Sequence, residues 1–235
     1  MKLNRVSLLV LALYLGWGSI SWGGYVSWTD WTSATVGSSG SASGTITLPD
    51  TSTVSISYSG QVENSTQISG GTNYWNPAAP YLSSTVDNAP PAADIITLSG
   101  GTPATTHTIT FDTAVVNPIM AIVSQGQPGV EVLYDFDAPF DILSVDEGYW
   151  NVVTSSTSIL TEESGDVLSG YEGHGAIQFQ GTFTSISWTA TPYEYWHGFT
   201  IGLPAQTAIV PAPSALLLGG LGSCLVSFIR RRRSM

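Results

Sequence analysis

The chain has 235 residues, with 17 Asp and Glu against six Lys and Arg and a formal net charge of −11. All six cations lie near the two ends, so the segment from Gly24 to Val210 contains no Lys or Arg. Nucleic acids, phosphates and anionic polysaccharides are normally held by Arg and Lys, and we predict that this segment binds none of them without a bridging cation.

Residues 1–23 have the layout of a secretory signal peptide. Lys2 and Arg5 precede an apolar run at residues 6–15, and small residues are frequent at 16–23. A charged start, a short apolar centre and a small-residue end are typical of a cleaved export signal. The sequence therefore predicts export, with an uncleaved anchor or a buried strand as the alternatives.

Residues 24–208 are predicted to form one folded domain. Apolar and polar residues alternate along many short stretches, and this period of two indicates half-buried strands. The alternating apolar residues are Val54, Ile56 and Tyr58; Ile109 and Phe111; Val130, Val132, Tyr134 and Phe136; Ile177 and Phe179; Ile186 and Trp188; Tyr193, Tyr195, Phe199 and Ile201. Roughly ten to thirteen strands predict an all-β fold, an antiparallel β-sandwich of the jelly-roll or lectin-like kind.

Two stretches of the domain are predicted to be irregular. The Ser and Gly run at residues 37–44 is expected to form a loop between early strands, and the proline-rich residues 65–93 a long surface excursion. Within the excursion, Tyr74 and Trp75 are candidates for stacking against the apolar face of a sugar. Packing in the core is the alternative for both rings.

An acidic cluster in the middle of the domain is a candidate calcium site, and calcium is the one cofactor that the sequence suggests. Its members are Glu131, Asp135, Asp137, Asp141, Asp146 and Glu147. Calcium prefers several carboxylate and carbonyl oxygens, and the alternation around Asp135 and Asp137 places both on one side of a strand. Asp135, Asp137 and Asp141 are the candidate ligands. The alternative is that Glu131, Asp135 and Asp137, which share one strand parity, form the solvated face of an edge or outer strand.

Glu172 and His174 lie in the short sequence Tyr-Glu-Gly-His-Gly. A carboxylate beside a histidine can supply a general base and its partner, or ligands for a metal. Glycines that a turn requires explain the same pattern. A carboxylate pair for acid and base chemistry could be formed by Glu172 with Glu194 or Asp146.

Two other histidines, His107 and His197, share strand parity with apolar neighbours. We predict that both are partly buried and hydrogen-bonded rather than ligands of a metal. The chain contains no G-x-S-x-G motif and no recognisable set of triad partners, which argues against a serine hydrolase.

Residues 209–235 form a tail with three parts. A proline motif, Val210, Pro211, Ala212 and Pro213, is followed by an uncharged, mostly apolar stretch at residues 214–229 and then by Arg230, Arg231, Arg232 and Arg233. Sixteen residues in a helix extend about 24 Å, enough for a short transmembrane span. The arginines are expected to hold their end of the helix in the cytoplasm, so the domain would lie on the other side of the inner membrane.

This order of proline motif, Ser-Ala-Leu-Leu-Leu-Gly, apolar helix and arginine cluster resembles the PEP-CTERM sorting signal. Ala212 stands where that family usually has Glu. The resemblance implies an exosortase-like sorting protease as a partner and an association with exopolysaccharide, and the domain also resembles uncharacterised exported proteins with the same tail. A plain single-pass anchor or a GlyGly-type tail are the alternatives, although Gly219 and Gly220 lie within the apolar stretch rather than before it.

The sequence therefore predicts an exported protein that is anchored in the inner membrane before processing and then reaches the cell surface or extracellular matrix. We expect a non-enzymatic structural or glycan-associated surface protein, with extracellular polysaccharide as a candidate partner. The alternatives are a secreted enzyme on neutral glycans that uses a carboxylate pair, and a calcium-stabilised adhesin.

Overall fold

The computed structural model describes residues 24–150 and 159–205. These residues form thirteen strands and one 3₁₀ helix, Ala79–Tyr81, and the described ranges contain no α-helix. The strands are β1 (Val26–Thr35), β2 (Gly37–Thr47), β3 (Thr53–Val62), β4 (Ile96–Leu98), β5 (Thr105–Val116), β6 (Ile119–Gln125), β7 (Val132–Phe136), β8 (Phe140–Val145), β9 (Leu160–Glu163), β10 (Val167–Gly170), β11 (Gly173–Phe179), β12 (Thr182–Thr191) and β13 (His197–Pro204). All strand pairings are antiparallel, which confirms the prediction of an all-β, antiparallel fold.

The strands follow one continuous path that curves until it is nearly a barrel. The order is β8-β11-β6-β13-β1-β2-β3-β5-β12-β7-β10-β9, with β4 paired to β13 beside this path. The path has two halves, β8-β11-β6-β13 and β2-β3-β5-β12-β7-β10-β9. Strand β1 connects them, because Val26 to Trp28 pair with β13 whereas Thr29 to Thr35 pair with β2. The two ends of the path approach each other where β8 contacts β9.

The main core lies between the two halves of this path. The alternating side chains of β3 and β7 point into it as the sequence pattern predicts, and Ile56, Tyr58, Val132 and Tyr134 are all buried. Phe199 of β13 contributes to the same core from the opposite half. Burial of apolar surface from both halves is the largest stabilising contribution that such a domain has.

One half of the sheet is buried on both faces. Every residue of β6 is buried, and its alternate side chains Ile119, Ala121 and Val123 form a second apolar cluster on the face that points away from the main core. Residues 65–95 cover this outer face, and they contribute Trp75 to the cluster. A strand that is buried on both faces reads as a continuous apolar run, and β6 does so from Ile119 to Val123.

The predicted role of Trp75 as an exposed platform for a sugar is therefore corrected. Its side chain is 1% exposed and packs edge-on against Tyr81, with ring centroids 5.0 Å apart. A tryptophan in this position holds the irregular segment onto the sheet. The irregular segment was predicted as a surface excursion, and it is in fact the cover of an apolar sheet face.

The Ser and Gly run at residues 37–44 is a strand and not the predicted loop. It forms most of β2, between β1 and β3. A Cβ atom at Gly44 would lie 2.5 Å from the carbonyl oxygen of Asp30, so the absence of a side chain lets the two strands approach. Glycine weakens a strand in isolation, and here tertiary packing outweighs that preference.

The predicted signal peptide at residues 1–23 and the tail at residues 209–235 lie outside the described residues. Among residues 24–150 and 159–205, no helix has the length and apolar character that crossing a membrane requires.

Candidate functional site

Polar side chains meet at the end of strand β6 and in the segments that lead into its two neighbours, β11 and β13. Strand β6 ends where its antiparallel neighbours β11 and β13 begin, so Ser124 comes close to both Glu172 and Glu194. Between the pairs Gly173–Gln125 and Gly175–Ile122 the register shifts, and β6 has one more residue than β11. Such a bulge redirects side chains and is frequent beside active sites.

Ser124 and Glu172 are joined by a short hydrogen bond in which Ser124 Oγ donates to Glu172 Oε1. Both residues have left-handed backbones, with φ of 59° and 56°. Burial raises the pKa of the Glu172 carboxyl, the Ser124 hydrogen bond opposes this change, and the charge of Glu194 adds to it. The carboxyl of Glu172 therefore holds its proton to a higher pH than an exposed glutamate does.

His174 lies beside this pair as a neutral imidazole. The backbone N–H of Ser124 donates to His174 Nδ1 at 3.2 Å, which leaves the ring hydrogen on Nε2. That Nε2 atom is 3.7 Å from Glu172 Oε1. Burial lowers the pKa of His174 to about 4. The backbone of Gly148 lies so close to the ring that a Cβ atom there would overlap it.

Glu194 is the second buried carboxylate of the site. Its side chain is 1% exposed, and its Oε1 atom accepts a 2.8 Å hydrogen bond from the backbone N–H of Gly126. The Nδ1 atom of His197 contacts the same oxygen. Within the described part of the chain, Glu194 Oε2 has no hydrogen-bond partner. Because a buried carboxylate oxygen without a partner is costly, this atom is a candidate for contact with a ligand or water.

An open cleft of about 260 Å³ is bordered by these two glutamates. Its lining residues are Ser124, Gln127, Pro128, Trp150, Glu172, Glu194, Tyr195 and Trp196. Tyr195 is 80% exposed and Trp150 is 48% exposed, so both rings offer a face to solvent. Small-molecule sites combine apolar walls with a few converging polar groups, and the cleft has this composition.

The aromatic wall is one connected cluster. Trp150 packs against Tyr149 and Trp196, with ring centroids 4.9 and 6.2 Å away. Tyr74 contacts Tyr149 and Trp196 at 5.0 and 4.8 Å, and Trp196 Nε1 donates to Ser65 Oγ at 2.7 Å. Tyr74, predicted to stack on a sugar, is half-buried behind this wall, and the rings that line the cleft are Trp150, Tyr195 and Trp196.

A second polar group lies deeper in the main core. His107 shares a hydrogen bond with the Tyr58 hydroxyl at Nδ1, 2.7 Å away, and another with Thr105 Oγ1 at Nε2, 2.8 Å away. Burial and the neighbouring His197 lower the pKa of His107 to about 3. His107 and His197 were predicted to be partly buried, and the structure buries both completely, at 0% exposed.

The candidate calcium ligands lie apart from the cleft. Asp135, Asp137 and Asp141 are exposed, and two of them accept hydrogen bonds from other parts of the chain. Asp137 Oδ1 accepts the backbone N–H of Ser187 at 2.8 Å, and Asp141 Oδ2 accepts from Gln180 Nε2 at 2.7 Å. Across the described ranges, no group of three or more His, Cys, Asp and Glu side chains is arranged so that it could hold a metal ion.

The structure brings together Glu172, His174 and Glu194, which the sequence suggested as two pairs, Glu172 with His174 and Glu172 with Glu194. Asp146, the other suggested partner of Glu172, is exposed and does not line the cleft. Sequence reasoning missed Ser124 and Gly126. Their signal was the polar stretch Ser-Gln-Gly that follows the apolar run of β6, because polar residues at the end of a buried strand often belong to a site.

Comparisons of the chain with models of protein families, with curated proteins and with solved structures found no match.

Proposed function

We propose that this is an exported surface protein whose cleft binds a neutral saccharide. The observation that carries this proposal is the pairing of Glu172 and Glu194 with the exposed rings of Trp150 and Tyr195 around one cavity. Aromatic rings stack on the apolar faces of sugars, and buried carboxylates accept hydrogen bonds from sugar hydroxyls.

The charge of the domain favours neutral ligands over anionic ones. The sequence between Gly24 and Val210 has no Lys or Arg that could bind a uronate, sulfate or phosphate. Two acidic groups in the cleft would repel such ligands further. A neutral hexose or pentose chain avoids this repulsion and still supplies hydroxyl donors.

The export and sorting of the protein belong to the same proposal. The three-part start at residues 1–23 and the PEP-CTERM-like tail at residues 209–235 support transport across the inner membrane, recognition by an exosortase-like protease and release to the cell surface or matrix. The two facing halves of the strand path support the finer fold assignment of a lectin-like β-sandwich.

Binding can be tested with the purified protein on an array of neutral and anionic glycans, followed by titration calorimetry of each ligand found. Trp150→Ala and Tyr195→Ala are expected to weaken binding at least tenfold, because each removes a stacking face. Tyr193→Ala is the matched control, since Tyr193 is 58% exposed but does not line the cleft. Equal affinity in all four proteins, or binding to anionic glycans alone, would contradict the proposal.

Sorting can be tested independently in cells. Deletion of residues 230–233 is expected to block tail processing and to change the distribution between envelope and medium. Replacement of the same four arginines by lysine preserves the charge and is expected to preserve membrane orientation. If the deletion changes neither the processing of the tail nor the location of the protein, the tail is ruled out as a sorting signal.

A further inference from the structure

We propose that the cleft hydrolyses a glycosidic bond of the saccharide that it binds, with Glu172 as the general acid and Glu194 as the carboxylate that activates water. This inference rests on the proposed saccharide-binding function. It assigns a reaction and two roles to a site that could otherwise only bind.

Glu194 has the properties that the activating carboxylate needs. One oxygen is fixed by the 2.8 Å hydrogen bond from Gly126 N–H, and His197 lies against that same oxygen. The other oxygen, Oε2, has no partner among the described residues although the side chain is 1% exposed. This oxygen is buried beneath the surface of the cleft, and in the proposed reaction the attacking water supplies its missing hydrogen bond and gives it a proton.

Glu172 has the properties of the acid. Its side chain is 9% exposed and lines the cleft, and Ser124 holds its Oε1 atom. Burial first, with Glu194 adding to it, raises the pKa of this carboxyl, so that a proton can be retained on the other oxygen. Two carboxyl groups whose surroundings differ in this way divide into an acid and a base.

The backbone supports a functional role for the same pair. Ser124 and Glu172 both have positive φ, a conformation that is unfavourable for non-glycine residues and frequent at active sites. The two strained residues are hydrogen-bonded to each other. The two left-handed backbones and this hydrogen bond together hold the Glu172 carboxyl beside Ser124.

The reaction that follows is balanced. Glu172 transfers its proton to the glycosidic oxygen as the bond between that oxygen and the anomeric carbon breaks, and the leaving sugar departs as an alcohol. A water oxygen forms the new bond to the anomeric carbon, and Glu194 Oε2 accepts the proton that this water loses. Proton exchange with solvent restores both glutamates, and the net change is the addition of one water to one glycoside.

The full chain can be tested on a panel of 4-nitrophenyl glycosides of neutral hexoses and pentoses in both anomeric forms, and on neutral oligosaccharides by the release of reducing ends. Glu194→Gln is expected to lower turnover of both substrate types by about 100-fold or more. Glu172→Gln is expected to lower oligosaccharide cleavage by a similar factor, but to reduce 4-nitrophenyl release less, because that leaving group needs little protonation. Glu162→Gln, an exposed position on β9, is the control.

The pH profile gives a readout that a merely structural role would not change. Wild-type protein is expected to lose turnover at high pH as the acid ionises, and Glu172→Gln is expected to lose that high-pH limb for 4-nitrophenyl substrates. Melting curves of each variant, together with Glu172→Asp and Glu194→Asp, separate loss of fold from loss of chemistry.

The inference and the proposed function fail in different ways. If the wild-type protein binds a neutral saccharide through Trp150 and Tyr195 but releases no product from it, hydrolysis is overturned and binding stands. If both Gln variants cleave as well as wild type, the assignment of Glu172 and Glu194 as acid and base is overturned. If no neutral saccharide binds or is cleaved, both proposals fall.

Discussion

The backbone N–H of Ser124 donates to Nδ1 of His174 at 3.2 Å, and this contact fixes a neutral imidazole inside the protein. Burial holds the pKa of His174 at about 4, and His107 in the main core has a pKa of about 3. Both values lie below the ordinary value of 6.5, because the folded protein stabilises the uncharged ring. The free energy of unfolding must therefore depend on pH.

We expect stability to fall as the pH decreases from 7.5 to 4.5. Below an ordinary pKa of 6.5 the unfolded chain protonates both imidazoles while the folded chain does not, so the unfolded state binds more protons and the free energy of unfolding falls. Each histidine is expected to contribute about 2.5 kcal/mol to this loss at pH 4.5. The raised pKa of Glu172 acts in the opposite direction. Urea denaturation at several pH values measures the sum.

His174→Gln provides the control for this prediction. The variant removes one titrating group, and the difference in unfolding free energy between pH 7.5 and 4.5 is expected to shrink by about 2.5 kcal/mol. A pH dependence equal to that of wild type would show that His174 is not the neutral buried ring described above.

Trp31 joins the two halves of the strand path through its indole. The Nε1 atom donates to Thr200 Oγ1 of β13 at 3.1 Å, and both side chains are buried. Thr200→Val keeps the volume but leaves the indole N–H without its acceptor, and it is expected to cost about 1–3 kcal/mol in chemical denaturation. In Trp31→Phe the same Thr200→Val change should cost less, because no indole N–H remains to be left unpaired.

The burial of Trp75 separates stability from binding. Trp75→Ala removes a side chain from the second apolar cluster and is expected to lower the free energy of unfolding by about 3–5 kcal/mol. Tyr195→Ala removes an exposed ring and is expected to change stability by no more than about 0.5 kcal/mol. Thermal denaturation of both variants would show similarly small losses of stability if Trp75 were a surface platform.

The close contact between β1 and β2 depends on glycine. Gly44→Ala places a Cβ atom 2.5 Å from Asp30 O, so the strands must separate, and a loss of about 1–3 kcal/mol is expected. Ser41→Ala on the same strand is the comparison, because Ser41 is exposed and its replacement adds no atoms against β1. Similar denaturation midpoints for the two variants would contradict the steric explanation.

The alternation of apolar residues predicted strands where one face is buried and the other solvated, as in β3 and β7. The alternation did not predict β2, because its small residues give almost no apolar pattern. The packing of β2 against β1 nevertheless requires glycine at Gly44. The alternation also failed for Tyr193 and Tyr195, which precede β13 and are exposed. The sequence pattern does not distinguish exposed aromatic residues that precede a strand from aromatic residues within one.

The sequence paired Glu172 with His174 and offered either Glu194 or Asp146 as its carboxylate partner, because a local motif contains no information on distances across a fold. Their meeting depends on the antiparallel order β11-β6-β13, in which the end of one strand lies between the beginnings of two others. The structure identified Ser124 as part of the site through the register of that pairing and its positive φ. Pairing order of this kind is set by the packing of the whole domain.

The first and last strands of the domain pair so that Val26 lies opposite Pro204, and His197 lies at the other end of β13. Seven residue steps along an extended strand amount to about 23 Å. The cleft and Ala205, the last residue of the described range, therefore lie toward opposite ends of one strand. If the proposed tail tethers the protein, the cleft lies at the end of β13 that is farther from Ala205.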